Sequence, residues 1–305
     1  SIYRLIMVIA MAKTVTTTPK GLLTVLSAFL IWGCFPLYFK ELIEYDAIEI
    51  IVHRVVWTFV ILLGITIITR RFRWIDQIKK QPKWLFLTFL ASVLIATNWL
   101  VYVWAVTHDQ VLEASLGYFI HPLVGVLFSM LIFKEKLRLM QKLAVLLAAA
   151  AVGIQIVWMG GLPWVSMLLP LSWGLYGVIQ RQTPFDALDG LFLETALLVP
   201  ISLIWLQFSH VASSSMAFWV SSEIWLLMLA GPVTLVPLLL YNISTKLVQF
   251  NTLSFLNYLT PSLIFLLAIF YYHEPFDAKR LLVFVLIWVG LLMFSADMFK
   301  HKKGA

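Results

Sequence analysis

From residue 20 to residue 299 the chain is a succession of apolar stretches of about 20 residues, separated by short polar breaks. Wound as a helix, a stretch of that length matches the roughly 30 Å hydrocarbon core of a bilayer. A water-soluble domain could not bury so many: 62% of the residues are hydrophobic and 12% charged, with a mean hydropathy of +0.94. The chain is therefore expected to be an all-α integral membrane protein whose principal partner is the lipid bilayer. The net charge of +7 could suggest nucleic acid in a soluble protein. Here the basic residues lie in short loops between apolar runs, which is the pattern of membrane topology, so no nucleic-acid partner is expected. One cysteine, Cys34, sits within a run, which excludes a disulfide framework and a cysteine metal site.

The runs fall at 20–40, 47–69, 84–107, 111–133, 139–159, 162–180, 188–208, 222–245, 252–272 and 279–299, which gives ten expected spans. With the termini inside, 18 of the 22 basic residues face the cytoplasm, among them Arg70, Arg71, Arg73, Lys134, Lys136, Arg138 and Lys246. Lys40, Lys279 and Arg280 fall outside, and Arg54 lies within a span. That bias places both termini in the cytoplasm. The N-terminal SIYRLIMVIAMAK carries an apolar run too short to span, and MAKTVTTTPKG from Met11 reads as an alternative start. Residues 1–19 are thus an N-terminal cytoplasmic extension, and 300–305 a basic cytoplasmic tail.

The chain also repeats itself. Pro122 and Pro261, Tyr102 and Tyr241, and Glu135 and Glu274 are each 139 residues apart. Each half, 20–159 and 162–299, holds five spans, so the second half must enter the membrane inverted. Two inverted five-helix repeats around a central cavity are a recurring design of secondary transporters.

Several segments carry a family resemblance: EIIVHRVVWT, TNWLVYVWAV, EASLGYFIHPLVGVLF with KEKLRLMQKLAVLLAAAAVGI, GLPWVSMLLPLSWGLYGVIQRQ, GLFLETALLVP and TLSFLNYLTPSLIFLLAIFYYHEPF. On these the chain resembles the drug/metabolite transporter superfamily, in its EamA branch, and within it the RarD-like permeases. The resemblance implies ten helices in two inverted repeats, a central cavity, and alternating access for small metabolites or drugs. Such permeases are commonly described by sensitivity or resistance to chloramphenicol.

Ionisable residues inside spans are functional candidates by default. Arg54 stands at the usual arginine position of the resembled family, with Thr58 on the same face. It is either a cavity anchor for a carboxylate or other electronegative group or a structural cation paired with Glu49 or helix carbonyls near the rim. Glu113, Gly117 and His121 share a face of the fourth span; Glu113 can be interfacial, and His121 either packs or carries a proton. Glu194 is the second deep acid, open to pairing with Arg54 or to titration. Pro122 and Pro261 each free a carbonyl one turn back and mark expected kinks. Asn98 and Tyr102, Tyr118, Trp173 and Tyr176, Tyr241 and Asn242, and Asn257 and Tyr258 offer rings with polar tips. They suit an amphipathic or aromatic solute, or else helix packing. Glu135 and Glu274 are expected in rim salt bridges.

Enzymatic motifs are missing from the sequence. HEPFD has Asp277 where a second zinc ligand should stand, and there is no GxSxG, Walker A or dinucleotide glycine pattern. No cofactor or metal is expected. The reading is a permease exporting small organic solutes, not an enzyme. The alternative is a membrane-embedded enzyme or lipid-handling protein using Glu113, His121 and Glu194 as acid–base groups.

Overall fold

The structure, a computed structural model, describes residues 15–108, 110–219, 224–273 and 278–302. Glu274 and Asp277, with Arg4, Lys13 and Lys303, lie outside the described residues. In chain order the helices are α1 (Pro19–Gly33), α2 (Phe35–Phe39), α3 (Ala47–Ile68), α4 (Arg73–Lys80), α5 (Lys83–Thr107), α6 (Val111–Leu131), α7 (Leu139–Met159) and α8 (Trp164–Gln182). They continue as α9 (Ala187–Phe208), α10 (Met216–Trp219), α11 (Ile224–Met228), α12 (Ala230–Thr245), α13 (Phe250–Leu256), α14 (Leu259–Phe270) and α15 (Ala278–Lys302). Among the described residues there is no strand.

Nine of the ten expected stretches form helices or helix pairs long and apolar enough to cross a membrane, among the described residues. The tenth, α8, is a continuous helix of 19 residues but is less apolar, carrying Ser166, Ser172, Gln180, Arg181 and Gln182. It tolerates them because α5, α6 and α12 pack against it and Ser166, Ser172, Gln180 and Arg181 are all buried, while the apolar Trp164, Met167, Leu171 and Leu175 take the exposed face.

Helix starts follow local chemistry. Asp46 accepts from the backbone N–H of Ile48 (2.8 Å) and Glu49 (3.2 Å) to cap α3. Asp186 does the same for α9 with Leu188 (3.1 Å) and Asp189 (3.0 Å). Gly160, at φ 79°, ends α7 in the left-handed conformation that favours glycine, and Pro163 precedes α8. The two prolines behave differently. Pro122 sits inside an unbroken α6, whereas α13 and α14 part at Asn257–Tyr258, one turn before Pro261. Pro261 has no N–H for the Asn257 carbonyl, which instead accepts from Thr260 (3.2 Å) in a tighter turn.

The central helices pack as α6 on α8, α5 on α8, α12 on α1 and α3, α9 on α3, and α13 on α6, while α7 pairs with α15 at the flank. One apolar core, including Phe29, Tyr176, Tyr241 and Phe250, runs through the middle; another joins Phe119, Phe255, Tyr258 and Phe294 beside the α7–α15 pair.

Candidate functional site

Arg54 enters from α3, half-buried, and its Nε donates to Thr234 Oγ1 on α12 at 2.9 Å. The guanidinium lies 4.3 Å from the Trp99 ring and 5.7 Å from that of Phe39, a cation–π arrangement. The phenols of Tyr38, Tyr102 and Tyr118 are close enough to feel its charge. No carboxylate pairs with it among the described residues. Glu49, the expected structural partner, instead accepts from the backbone N–H (2.7 Å) and the hydroxyl of Ser213. Thr58, one turn on, donates to the Gly231 carbonyl at 3.2 Å and holds α3 against α12. Arg54 therefore keeps a positive charge among rings and hydroxyls, an environment that attracts an electronegative group.

From this corner a line of rings leads inward. Tyr102 and Tyr118 are 5.8 Å apart, Tyr118 and His121 5.2 Å, and His121 stacks 6.4 Å from Trp173. Trp173 then meets Tyr241 at 4.9 Å, Trp32 at 5.3 Å and Tyr176 at 5.7 Å. Beside them lies a small cavity of about 10 Å³, room for about one water, whose walls include Phe29, His121, Trp173, Tyr241, Ser254 and Asn257. Phe29 and His121 come from the first half of the chain, and the other four from the second.

Two buried polar knots flank the rings. Glu194 on α9 accepts from the Tyr176 hydroxyl (3.2 Å) and from Gln180, and Asn242 donates to the Tyr176 oxygen at 3.1 Å. In the second knot Asn98 donates to the Leu169 carbonyl (2.9 Å) and to Ser172 (3.0 Å). Asn98 thus braces α5 against α8, while Tyr102, one turn away, is 40% exposed. Tyr258 stands apart in the flank core against Phe255 (5.4 Å). The side chain of Glu113 is half-buried, and its backbone carbonyl accepts from Ser166 at 2.5 Å.

At the opposite end of the bundle Glu135 does more than form the expected rim bridge. Its Oε1 lies 3.1 Å from Arg181 Nη1, with both side chains 3% exposed. Its two oxygens also accept from the backbone N–H of Phe250 and Asn251, each at 2.8 Å, so a remote carboxylate caps α13. The Arg181 guanidinium rests 4.4 Å from the Phe133 ring. Around this pair, Arg71 bridges Asp186 and Asp189, and Arg138 bridges Asp297 at 2.5 Å. Lys246 donates to the Thr183 carbonyl (3.1 Å) and to that of Phe185, and burial pushes its ammonium down to about 8.

The profile described as the EamA-like transporter family matches residues 19–157 and again residues 160–296. The chain belongs to the EamA-like transporter family. It is 43% identical over 279 residues to an uncharacterized transporter of Pseudomonas aeruginosa, covering 91% of this chain and 94% of that one. It is 37% identical over 286 residues to the protein RarD of Escherichia coli, covering 92% and 95% of the two chains. A solved crystal structure of 19% identity superposes with a TM-score of 0.67 over 90% of this chain and 97% of that one, which speaks for the fold. This EamA-like chain is a multi-pass membrane protein of a transporter family, so its partners are the bilayer and a small-molecule substrate.

Within the EamA-like fold, the sequence had not singled out Trp32 and Phe29, which complete the ring line and the cavity wall, or Thr234, Gln180 and Ser254. Thr234 and Ser254 carry short hydroxyls in apolar helices, a signal too common to rank. Gln180 was detectable as a carboxamide one turn from Tyr176.

Proposed function

We propose that the chain is a secondary carrier that exports small organic metabolites or drugs across a bacterial inner membrane by alternating access, with both termini in the cytoplasm. In this reading it is built from ten spans in two inverted repeats, 20–159 and 162–299. The observation that carries it is the aromatic cavity walled by helices of both halves, where repeat-built transporters hold their substrate. The repeat is supported by the twofold family match and by recurring local structure. Asp46 and Asp186 cap corresponding helices, and Lys134 and His273, 139 residues apart, both adopt φ near 53°. The packing of α6 on α8 is likewise echoed by α14 on α1.

The cavity, at about 10 Å³, falls far below the roughly 300–1,000 Å³ of small-molecule pockets. Admitting a solute therefore requires the halves to separate. The Glu135–Arg181, Arg138–Asp297 and Arg71–Asp186 contacts join the halves at the cytoplasmic end and are the ties that inward opening must break. With no nucleotide-binding motif, the driving force is the solute gradient or a coupled ion. Acid–base chemistry by Glu113, His121 and Glu194 would need them around one substrate atom. Their contacts are instead separate: Glu194 with Tyr176 and Gln180, His121 with Tyr118 and Trp173, and Glu113 beside Ser166.

The test is counterflow in proteoliposomes, with solutes chosen by comparing metabolites inside and outside deletion and overexpression strains. Chloramphenicol is a first labelled probe, because one relative of Pseudomonas aeruginosa, 29% identical over 285 residues, is called chloramphenicol-sensitive protein RarD. Trans-acceleration by unlabelled solute supports a carrier. Its absence for every solute, or formation of a product, sinks the reading. A fluorescent protein fused after Ala305 should glow, as it folds only on the cytoplasmic side; a dark fusion reverses the topology.

A further inference from the structure

Between α3 and α5 the chain runs RRFRWIDQIKKQPK, residues 70–83, with six basic residues and one acid, Asp76. One span ends at Ile68 and the next begins at Lys83, so this linker stands at the depth where hydrocarbon gives way to lipid headgroups. It is folded: Arg70, at φ 52°, turns the chain out of α3, and residues 73–80 form α4. The helix has two sides. Trp74 and Ile78, one turn apart, pack against the bundle, the Trp74 ring 5.9 Å from that of Phe192 on α9. Arg73 and Lys80 share the other side with Asp76, and all three are exposed.

Arg71 is spent within the protein, where it bridges Asp186 and Asp189 at the start of α9. Arg70, Arg73, Lys79, Lys80 and Lys83 are exposed, and none pairs with a carboxylate among the described residues. Five like charges on one short linker raise the local potential and draw anions. The neighbours say which kind. Ile67, Ile68, Phe72 and Phe86 beside them are exposed apolar side chains, so the cations rim a surface that a bilayer covers. A phospholipid meets both, with its phosphate on the cations and its chains on the apolar side chains. The basic run at 134–142 lacks this build: Arg138 is taken by Asp297, Lys134 and Lys136 stand on irregular backbone, and Lys142 is on α7 itself.

We propose that the α3–α5 linker is a binding surface for an anionic phospholipid, whose headgroup is held by the exposed cations of α4 and its flanks. Arg71 and Trp74 tie the linker to α9, so the lipid sits where the first half of the chain meets the second. The surface depends on the bilayer and not on what the chain carries.

The test titrates the full chain, purified in a neutral detergent, with dioleoylphosphatidylglycerol and dioleoylphosphatidylcholine, and counts bound lipid by native mass spectrometry. The wild type should prefer the anionic lipid. Neutralising α4 by Arg73→Gln, Lys79→Gln and Lys80→Gln should cut that preference roughly tenfold or more, since each charge near an anionic surface is worth about fivefold. Removing as many charges from the other run, by Lys134→Gln, Lys136→Gln and Lys142→Gln, should leave it largely intact. Where the α4 triple does not fold, Lys79→Gln with Lys80→Gln against Lys134→Gln with Lys136→Gln makes the same comparison. No wild-type preference, an equal loss in both sets, or a preference that survives in the α4 variant overturns the assignment. Glycerol 3-phosphate, a headgroup without chains, should not displace the lipid at equal concentration; displacement would remove the phospholipid as occupant.

Discussion

Replacing Glu135 by alanine should be among the most damaging single changes outside the cavity. The side chain neutralises Arg181 at 3.1 Å, both partners being 3% exposed, and it satisfies two N–H groups at the start of α13 at 2.8 Å each. Removing one member of a buried ion pair leaves an uncompensated charge and typically costs about 3–5 kcal/mol. Loss of a helix cap adds about 1 kcal/mol. Glu135→Gln should cost less, because its amide oxygen still accepts from one of the two N–H groups. The decisive variant is the double change Glu135→Ala with Arg181→Met. If the cost is the stranded guanidinium, removing the charge as well should recover most of the loss, since apolar substitutes for buried pairs are often neutral. Reversible unfolding in mixed micelles, followed by intrinsic tryptophan fluorescence, gives the four corners of the cycle. A single variant within about 1 kcal/mol of wild type would refute the reasoning, as would a double variant no better than Glu135→Ala alone.

Other outcomes follow from close approaches and charge. A Cβ on Gly125 would meet Ser254 Oγ at 2.2 Å, whereas one on Gly153 meets nothing within 4 Å. Gly125→Ala should therefore cost about 1–3 kcal/mol, and Gly153→Ala should gain up to about 1 kcal/mol in helix propensity; thermal unfolding of the two compares them directly. Arg54→Ala should weaken a carboxylate-bearing solute by about 1.5–3 kcal/mol, roughly tenfold or more in counterflow affinity, with expression unchanged; unaltered transport of every identified solute would dismiss the anchor. Burial lowers Lys246 from 10.5 to about 8, so between those values the unfolded chain binds the extra proton and stability rises with pH. Against Lys246→Met, the wild type should gain thermal stability from pH 8 to 10, and parallel curves would count against a buried ammonium.

How far the sequence led depended on contrast. A polar residue in an apolar run is conspicuous, so Arg54, His121 and Glu194 stood out before any coordinates did. Nine stretches were equally plain, because length and apolarity are what a bilayer selects. Partners across the chain were less legible. Glu49, five residues from Arg54, was an expected partner for it; the carboxylate instead turns to Ser213, 164 positions away. Glu135 and Arg181 belong to different halves, and nothing local announces that one carboxylate will also cap α13. Trp32 and Phe29 reach the ring line and the cavity wall, yet in sequence they look like any aromatic residue on a lipid-facing helix. Tyr258 shows the converse: its polar tip drew notice, but its turn of helix faces the flank core.

The buried polar side of α8 has a consequence for how the chain is made. A segment bearing Ser166, Ser172, Gln180, Arg181 and Gln182 is a poor candidate to leave the translocon for lipid by itself, because each polar group carries a penalty in hydrocarbon. It follows α7 after a tight Gly160–Pro163 link, so the ribosome delivers it while the first half is already waiting. Biogenesis then becomes ordered: the early helices form a protein-lined berth, and α8 inserts into that berth instead of into the bilayer. One of the helices that line the cavity is thus the one that depends most on others for its place in the membrane.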